Sequence, residues 1–442
     1  IRDFCLPRGL GDVYKRQEHY LAIQHIVGCD IRSAPFVTKL FTILAMRDKD
    51  FNRKIPTRTQ FPKEKYEGAD IQVPVPGVYE NIGILDVRAM YHANVDLHNI
   101  CWTTLDEKGV DCGNGVRFKH GERGLLGRQM GLMTSLRDDY KRIMKAAKTE
   151  EERVRYDSLQ YATKSLVASM YGVAGDSRCG FYHPDIAASI TFTARYTLNR
   201  LREGCEARGY SVVYGHTDSV FVACNTPEEG VVLSHHLSEK MTPIIVEFEK
   251  FCDSLLIKKK NRYAGIVSWA EGERKNPKMF VKGIELKQSR LPNMMKTTMR
   301  SVIMAILNGD DEKKTTDWIE ELVDSVVTGS VDPLDICIRG KLERDLSKYV
   351  VLGEARAGAE WANEHLGKGY RAGSRFLVTL DENGNYIAFD DPSEINGWTK
   401  IGYEYIARKF IVEKIRDYYK LAGWDFTRVE NALEGKRNVV WL

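Results

Sequence analysis

The chain has 442 residues, 43% of them hydrophobic and 29% charged, and a formal net charge of +4. That composition is ordinary for a globular protein and long enough for two or three domains. No run approaches about 18 uninterrupted apolar residues, which argues against a membrane-spanning helix. The nine cysteines form no C-x-x-C pair, which argues against a zinc or iron–sulfur module. Their scatter suits reduced thiols, and so a cytoplasmic setting.

Residues 1–17, "IRDFCLPRGLGDVYKRQ", lack clear periodicity and resemble a translated sequencing adapter, so they are set apart from the fold. Residues 18–62 read as mostly helical. A Pro/Gly turn then leads into the apolar run Ile82 to Val87, which reads as a core strand ending at Asp86. Residues 124–172 read as a helical hairpin, its second helix opened by the capping-box pair Thr149 and Glu152. A helical stretch near 184–208 precedes "SVVYGHTDSVFVAC", two β-rich runs around a polar tip that read as a hairpin. Lys258 to Arg300 holds 12 Lys and Arg against three acids. Such a stripe is a phosphate track or a solvated surface. Beyond residue 291 the chain is helix-rich, broken by "GYRAGSRFLVTLDENGNYIAF", which reads as strands joined by a Gly/Asn turn.

Asp86 and Asp218 are two carboxylates at strand ends, far apart in sequence. Such a pair suits a two-metal site for in-line phosphoryl transfer, since oxygen ligands suit Mg²⁺. Taken alone, an Asp at a strand end is more often a turn former. Arg137 and Lys141 share one helix face, and Lys164, Ala168 and Tyr171 share another. If those faces meet, three cations converge beside an aromatic ring, a composition suited to a nucleoside triphosphate. Two solvated amphipathic helices would give the same pattern.

Six segments in series resemble the polymerase core of the family B DNA polymerases. "GVYENIGILDVRAMY" resembles motif A, "KSLVASMYG" motif B and "YGHTDS" motif C. "LRDDYKRIMK" resembles the triphosphate-binding fingers helix. "KKKNRYAG", followed by "VKGIEL", resembles the primer-binding K-K-x-Y motif. "RDLSKYVVLGEARAGAEWANEHLGKGYRAGSRF" resembles the start of the thumb. The resemblance implies an α+β right hand. An antiparallel-sheet palm would be split over 63–122 and 173–290, with two-helix fingers at 123–172 and a mostly helical thumb at 291–442. Residues 18–62 would be a remnant of the N-terminal region, and the family's 3′–5′ exonuclease domain is absent from the chain.

The same resemblance implies a DNA-directed DNA polymerase acting on primer–template DNA and dNTPs, without proofreading in this chain. A sliding clamp joins the implied partners, and a nucleoid-associated location follows if the host is prokaryotic. Asp86 and Asp218 would ligate two Mg²⁺ ions, with the Val87 carbonyl completing one of them. Arg137, Lys141 and Lys164 would clamp the triphosphate. Tyr91 would lie under the sugar as a gate against a 2′-OH, and Tyr171 would pack by the nascent base pair. Lys259, Lys260, Tyr263 and Lys282 would hold the primer and its duplex.

Five positions depart from the motifs. His92 and Ala93 replace Pro and Ser in motif A. Ala168 replaces Asn in motif B, His216 the first Asp of motif C, and Asn261 the second Lys of K-K-x-Y, with Lys258 and Lys259 as neighbouring cations. These disturbances resemble archaeal paralogues with altered catalytic motifs. They leave open a weakened or inactive relative that serves as a primer–template scaffold. A nuclease would also use paired carboxylates, but it needs neither the cation set nor a thumb. Strand alternation would place His216 and Asp218 on one face. His216 is then either a metal ligand, better suited to Mn²⁺ than to Mg²⁺, or only a hydrogen-bonding member of the hairpin.

Overall fold

The computed structural model describes residues 8–52, 62–69, 72–287, 291–394 and 400–434. The chain falls into two compact units. One comprises residues 1–71, 85–222 and 230–248, the other 72–84, 223–229 and 249–442. Among the described residues no helix is long and apolar enough to cross a membrane. The eight described cysteines are all buried and unbridged.

In chain order the first elements are α1 (Arg8–Val27), α2 (Val37–Arg47), β1 (Gly77–Val87), α3 (Met90–Leu97), β2 (Leu105–Asp111) and β3 (Arg117–Phe118). They are followed by α4 (Leu125–Ala146), α5 (Glu150–Met170), α6 (Pro184–Glu206), β4 (Val212–His216), β5 (Ser219–Ala223) and α7 (Pro227–Lys240). Next come β6 (Val246–Lys259), β7 (Arg262–Ala270), β8 (Glu273–Lys282), α8 (Asn293–Asn308), α9 (Glu312–Val327) and β9 (Ile338–Lys341). The chain continues with α10 (Glu354–Leu366), β10 (Arg375–Leu380), β11 (Tyr386–Phe389), α11 (Tyr403–Ala407), α12 (Glu413–Ala422) and α13 (Thr427–Leu433).

The architecture is α+β, as expected. A six-stranded sheet has the order β4-β5-β1-β6-β7-β8, and β9–β11 form a three-stranded sheet of order β11-β10-β9. The ladders β4–β5, β6–β7, β7–β8, β9–β10 and β10–β11 are all antiparallel. One expectation needs correction. The strand expected from Ile82 begins at Gly77 and runs through Val87, one residue past Asp86. Residues 8–17, set apart from the fold, are continuous helix with 18–27 in α1, while residues 1–7 lie outside the described set. Residues 246–282, which overlap the basic stretch, form the three-stranded meander β6-β7-β8.

In the first unit, α1, α2, α4, α5 and the start of α6 share one apolar core. Phe41 and Leu44 meet Leu126, Met130, Leu159, Leu166 and Ile190 there. The α4–α5 hairpin lies where the sequence placed it. The Thr149 hydroxyl accepts from the Glu152 amide at 3.2 Å, and three glutamates in the first turn of α5 complement the helix dipole. The return arm of the capping box lands one residue early, with the Glu152 carboxylate accepting from the Lys148 amide. Helix α4 starts at a glycine N-cap without a side chain of its own. Its orphan amides are met from the 99–103 turn instead. Asn99 Oδ1 accepts from Gly124, Thr103 Oγ1 from Leu125 and Cys101 Sγ from Leu126.

In the second unit the core joins β6 and β7 to α8, α9, α10 and the C-terminal helices, through Leu256, Val302, Ile319, Val378 and Ile411. The β10–β11 hairpin pairs Leu380 with Tyr386. Asp381 Oδ1 accepts from the amides of Asn383 and Asn385 across the expected Gly/Asn turn.

Candidate active site

Strand β1 is apolar from Ile82 to Leu85 because both its faces are covered, and all four residues are buried. At its end Asp86 is half-exposed while Val87 returns to the interior. The β4–β5 hairpin closes with His216 opposite Ser219, leaving Thr217 and Asp218 as the two-residue turn. Thr217 has φ 55°, a conformation in which glycine is the usual occupant of such turns. A β-branched residue there is a strained outlier, of the kind that clusters at functional sites. The Asp218 amide donates back to the His216 carbonyl at 2.7 Å, which tightens the tip.

Two hydrogen bonds tie this tip to the end of β1. The Val87 amide donates to the Asp218 carbonyl at 2.8 Å. The Ser219 hydroxyl donates to Asp86 Oδ1 at 2.7 Å, and Asp218 Oδ1 lies 3.3 Å from the same hydroxyl oxygen. The two carboxylate oxygens are therefore no further apart than the sum of those distances. A hydroxyl has one proton, and the shorter contact shows that Asp86 takes it. Sequence reading brought Asp86 and Asp218 forward but missed Ser219, although it stands next to Asp218 in the quoted motif. The expectation that His216 and Asp218 share a strand face is corrected. β4 ends at His216, so alternation does not extend to a residue in the turn. The His216 ring packs edge-on to Tyr214, 5.9 Å between centroids.

Helix α3 follows β1 after Ala89, which takes a left-handed φ of 47° at its N-cap. It presents Tyr91, whose ring stacks on Tyr171 at 4.2 Å and 11°. Tyr171 opens the short 3-10 turn that follows α5. Burial pushes the Tyr91 phenol far above its usual range, and Tyr171 and the charge on Asp218 add to the effect.

On α4, Arg137 and Lys141 are half-buried on one face. Burial lowers both from their usual values, and in Lys141 the neighbouring charge of Arg137 adds to it. The Arg137 Nε is buried with no hydrogen-bond partner among the described residues. Arg88, next to Val87, lies 3.7 Å from Asp138 and 3.6 Å from Glu247, and these charges also act on Arg137. Lys164 is exposed on α5 and makes no ion pair with another described residue. The three cations are thus unequal: two lie half-buried together on α4, and the third is solvated on α5. Ala168 is exposed.

The second unit carries the K-K-x-Y-like segment. Lys259 pairs with Arg262 across β6–β7, so Lys260 and Asn261 form the turn. Asn261 has φ 63°, a conformation that asparagine tolerates and lysine disfavours, which accounts for this departure from the motif. A Cβ at Gly283 would lie 1.8 Å from the Asn261 carbonyl oxygen, so the glycine of "VKG" lets the backbones approach. Tyr263 is buried, paired with Lys282, whose ammonium sits 5.7 Å over its ring. Lys259, Lys260 and Lys282 are exposed. The stripe is less free than its composition suggests. Lys258 pairs with Asp417 at 2.9 Å and lies over Tyr418, Arg262 pairs with Glu285 and Arg274 with Glu228. Lys258 is therefore held between Asp417 and the Tyr418 ring.

Paired carboxylates and a Ser-linked turn on one side, with half-buried cations and stacked tyrosines on neighbouring helices, are phosphoryl-transfer chemistry in composition. The chain belongs to DNA polymerase family B, whose sequence profile matches residues 37–365. It is 28% identical over 376 residues to the DNA polymerase delta catalytic subunit of Plasmodium falciparum, covering 75% of this chain and 34% of that one. It is 26% identical to the DNA polymerase alpha catalytic subunit of Xenopus laevis, over 74% of this chain and 24% of that one. It is 27% identical to a DNA polymerase of Archaeoglobus fulgidus, over 65% of this chain and 36% of that one. The chain thus spans about a third or less of each of these relatives.

Proposed function

We propose that this chain extends the 3′-OH of a primer on a DNA template with dNTPs, at a centre built on Asp86 and Asp218. The observation that carries the reading is the Ser219 hydroxyl in reach of both carboxylates, which brings residues 132 apart in sequence to one spot. The donor set fits a pair of hard divalent cations. Two carboxylates converge, the Val87 carbonyl is the neighbouring backbone oxygen, and oxygen ligands suit Mg²⁺, with Mn²⁺ also accepted. Bound there, such cations would lower the pKa of the attacking hydroxyl and neutralise the charge on the leaving pyrophosphate.

The protein's own part is positioning. Asp86 and Asp218 would hold the cations beside the β4–β5 turn. Arg137 and Lys141, with Lys164 opposite, take the triphosphate oxygens, and the desolvated cations gain most from an anion. Tyr91 packs under the sugar, Tyr171 beside the nascent base pair. In the second unit, Lys259, Lys260 and Lys282 face phosphates while Tyr263 anchors the hairpin that carries them. On this reading 63–122 and 173–290 are palm, 123–172 fingers and 291–442 thumb, and none of these segments is assigned to 3′–5′ exonuclease.

Primer extension on a defined template with Mg²⁺ or Mn²⁺ tests the proposal. Asp218→Ala should abolish most nucleotide incorporation while primer–template binding, read by a mobility shift, persists. Wild-type incorporation by Asp218→Ala would refute the site. Degradation of a mismatched primer end by the pure protein without dNTPs would refute the absence of proofreading.

A further inference from the structure

His92, the residue that stands where the motif carries proline, is held from three sides. Its Nδ1 lies 3.3 Å from the Thr134 hydroxyl on α4. Its Nε2 lies 3.0 Å from Asp96 on the next turn of α3 and 3.1 Å from the Arg123 guanidinium at the foot of α4. Arg123 in turn grips Asp96 through Nε at 2.8 Å and through a second, short bond from Nη2. The side chain of His92 is only 12% exposed.

The Thr134 hydroxyl also donates to the Met130 carbonyl at 2.8 Å, so it stands between that carbonyl and His92 Nδ1. Nε2 then meets the carboxylate and the guanidinium, which are already bonded to each other. Burial raises the Asp96 carboxyl, and the bonds from His92 and Arg123 outweigh it and hold it below its usual value.

The placement of Thr134 gives this link a consequence. Residues 134, 137 and 141 are spaced i, i+3 and i+7, so Thr134 lies on the face of α4 that carries Arg137 and Lys141. His92 directly follows Tyr91. One imidazole thus joins the helix bearing the stacked tyrosine to the helix bearing the half-buried cations. Proline at 92 could not make this link, since it has no side-chain donor.

We infer that His92 is a positioning residue, which sets the register of the Tyr91 helix against the cation face of α4 through Thr134. This deepens the polymerase reading and rests on it. If the register slips, the sugar and the triphosphate of one bound nucleotide can no longer be met together. The loss should fall on nucleotide binding and sugar selection more than on the chemical step.

The test compares single-nucleotide incorporation by wild type, His92→Ala, His92→Asn and Thr134→Val. His92→Ala is expected to raise the dNTP KM on the order of 10-fold and to narrow the preference for dNTPs over rNTPs, with kcat changed much less. His92→Asn, which keeps a polar group near the position of Nδ1, should recover most of the KM. Thr134→Val keeps the shape of α4 but removes the hydroxyl, so it should reproduce the KM of His92→Ala even where the latter folds poorly. An active enzyme in which His92→Ala and Thr134→Val both keep the wild-type KM and sugar preference overturns the inference, whatever their melting temperatures. A wild type that incorporates no nucleotide overturns the polymerase reading itself, and this inference with it.

Discussion

The ring of Tyr91 lies flat on the ring of Tyr171, centroids 4.2 Å apart and planes 11° apart. The stack joins the first turn of α3 to the residue that ends α5, so each ring fixes the other's rotamer. Burial and the nearby Asp218 charge keep the Tyr91 phenol protonated far above its usual pKa. The hydroxyl is therefore neutral at any ordinary assay pH, and on the proposed reading discrimination by this residue would be a matter of ring volume. Tyr91→Ala should raise rNTP incorporation relative to dNTP by on the order of 100-fold, taking the loss of a steric contact as about 2–3 kcal/mol. Tyr91→Phe should leave the ratio near wild type. Competing rNTP and dNTP incorporation at one template position measures both. A ratio unmoved in Tyr91→Ala would place the gate elsewhere.

On the proposed reading, Arg137 and Lys141 set stability against function. Both are half-buried, burial lowers both from their usual values, and Arg137 Nε lacks a partner among the described residues. A cation held dry without its anion destabilises the fold that holds it. Arg137→Leu should therefore raise the melting temperature of the ligand-free protein while kcat/KM for dNTP falls about 100-fold, as for loss of one preorganised charge donor. For Lys141 the folded-state pKa is the lower one, so the unfolded chain binds more protons at alkaline pH. Stability should then increase as pH climbs through the interval below the ordinary lysine value. Calorimetry of wild type and Arg137→Leu, with and without dNTP, separates the two effects. A lower melting temperature in Arg137→Leu would show that the side chain serves the fold.

Much of this was legible in the sequence because the signals are local. The fingers-like hairpin rests on amphipathic spacing and on the cap at Thr149, both set by neighbours within a turn. The β4–β5 and β10–β11 hairpins rest on alternation and turn residues. What escaped detection depends on long-range geometry. Ser219 gains meaning only when Asp86, far upstream, arrives beside it. Asn99, Cys101 and Thr103 cap a helix that begins more than twenty residues later, and no local pattern marks them. The extra reach of β1 before Ile82 was hidden by the polar residues Glu80 and Asn81. His216 and Asp218 were assigned one face because a strand period was carried into a turn, where the backbone at Thr217 reverses hand.

Asp48 should hold the base of α4. It stands just past α2, its side chain only 7% exposed, and accepts from Arg128 through two nitrogens and from Gln129 at 2.9 Å. Removing it leaves the guanidinium without its carboxylate, with the Arg123 carbonyl as its remaining acceptor. Asp48→Ala should cost about 3 kcal/mol, the low end for a broken buried pair, since Arg128 keeps some exposure. Arg128 holds the Asp48 carboxyl below its usual range. The contribution is therefore present above the ordinary aspartate pKa and lost as pH falls through the depressed folded value. Denaturant titration at neutral and acid pH should show wild type and Asp48→Ala converging at the acid end. A constant gap between them would contradict the ion-pair account.

His216 stands at the last position of β4, where the motif carries an acid. The residue pairs with Ser219, whose hydroxyl donates to Asp86, and the His216 carbonyl accepts from the Asp218 amide. Its backbone is thus built into the turn that carries Asp218, the metal ligand on the proposed reading. An imidazole at this place brings nitrogen where Mg²⁺ prefers oxygen, while Mn²⁺ accepts either donor. The wild type should consequently gain more from replacing Mg²⁺ by Mn²⁺ than His216→Asp does. His216→Asp should raise the Mg²⁺-dependent incorporation rate on the order of 10-fold, the low end for a residue beside a metal ligand. The readouts are the ratio of Mn²⁺ to Mg²⁺ rates in each protein and the half-saturating concentration of each metal. Metal titration by calorimetry, without DNA or dNTP, gives the same comparison free of turnover. His216→Ala separates geometry from chemistry, because it removes the nitrogen without supplying an oxygen. If His216→Asp and wild type share one metal preference and one affinity, the histidine serves the hairpin alone. A wild type inactive with both metals, and rescued by His216→Asp, would mark this chain as a polymerase disabled at a single position.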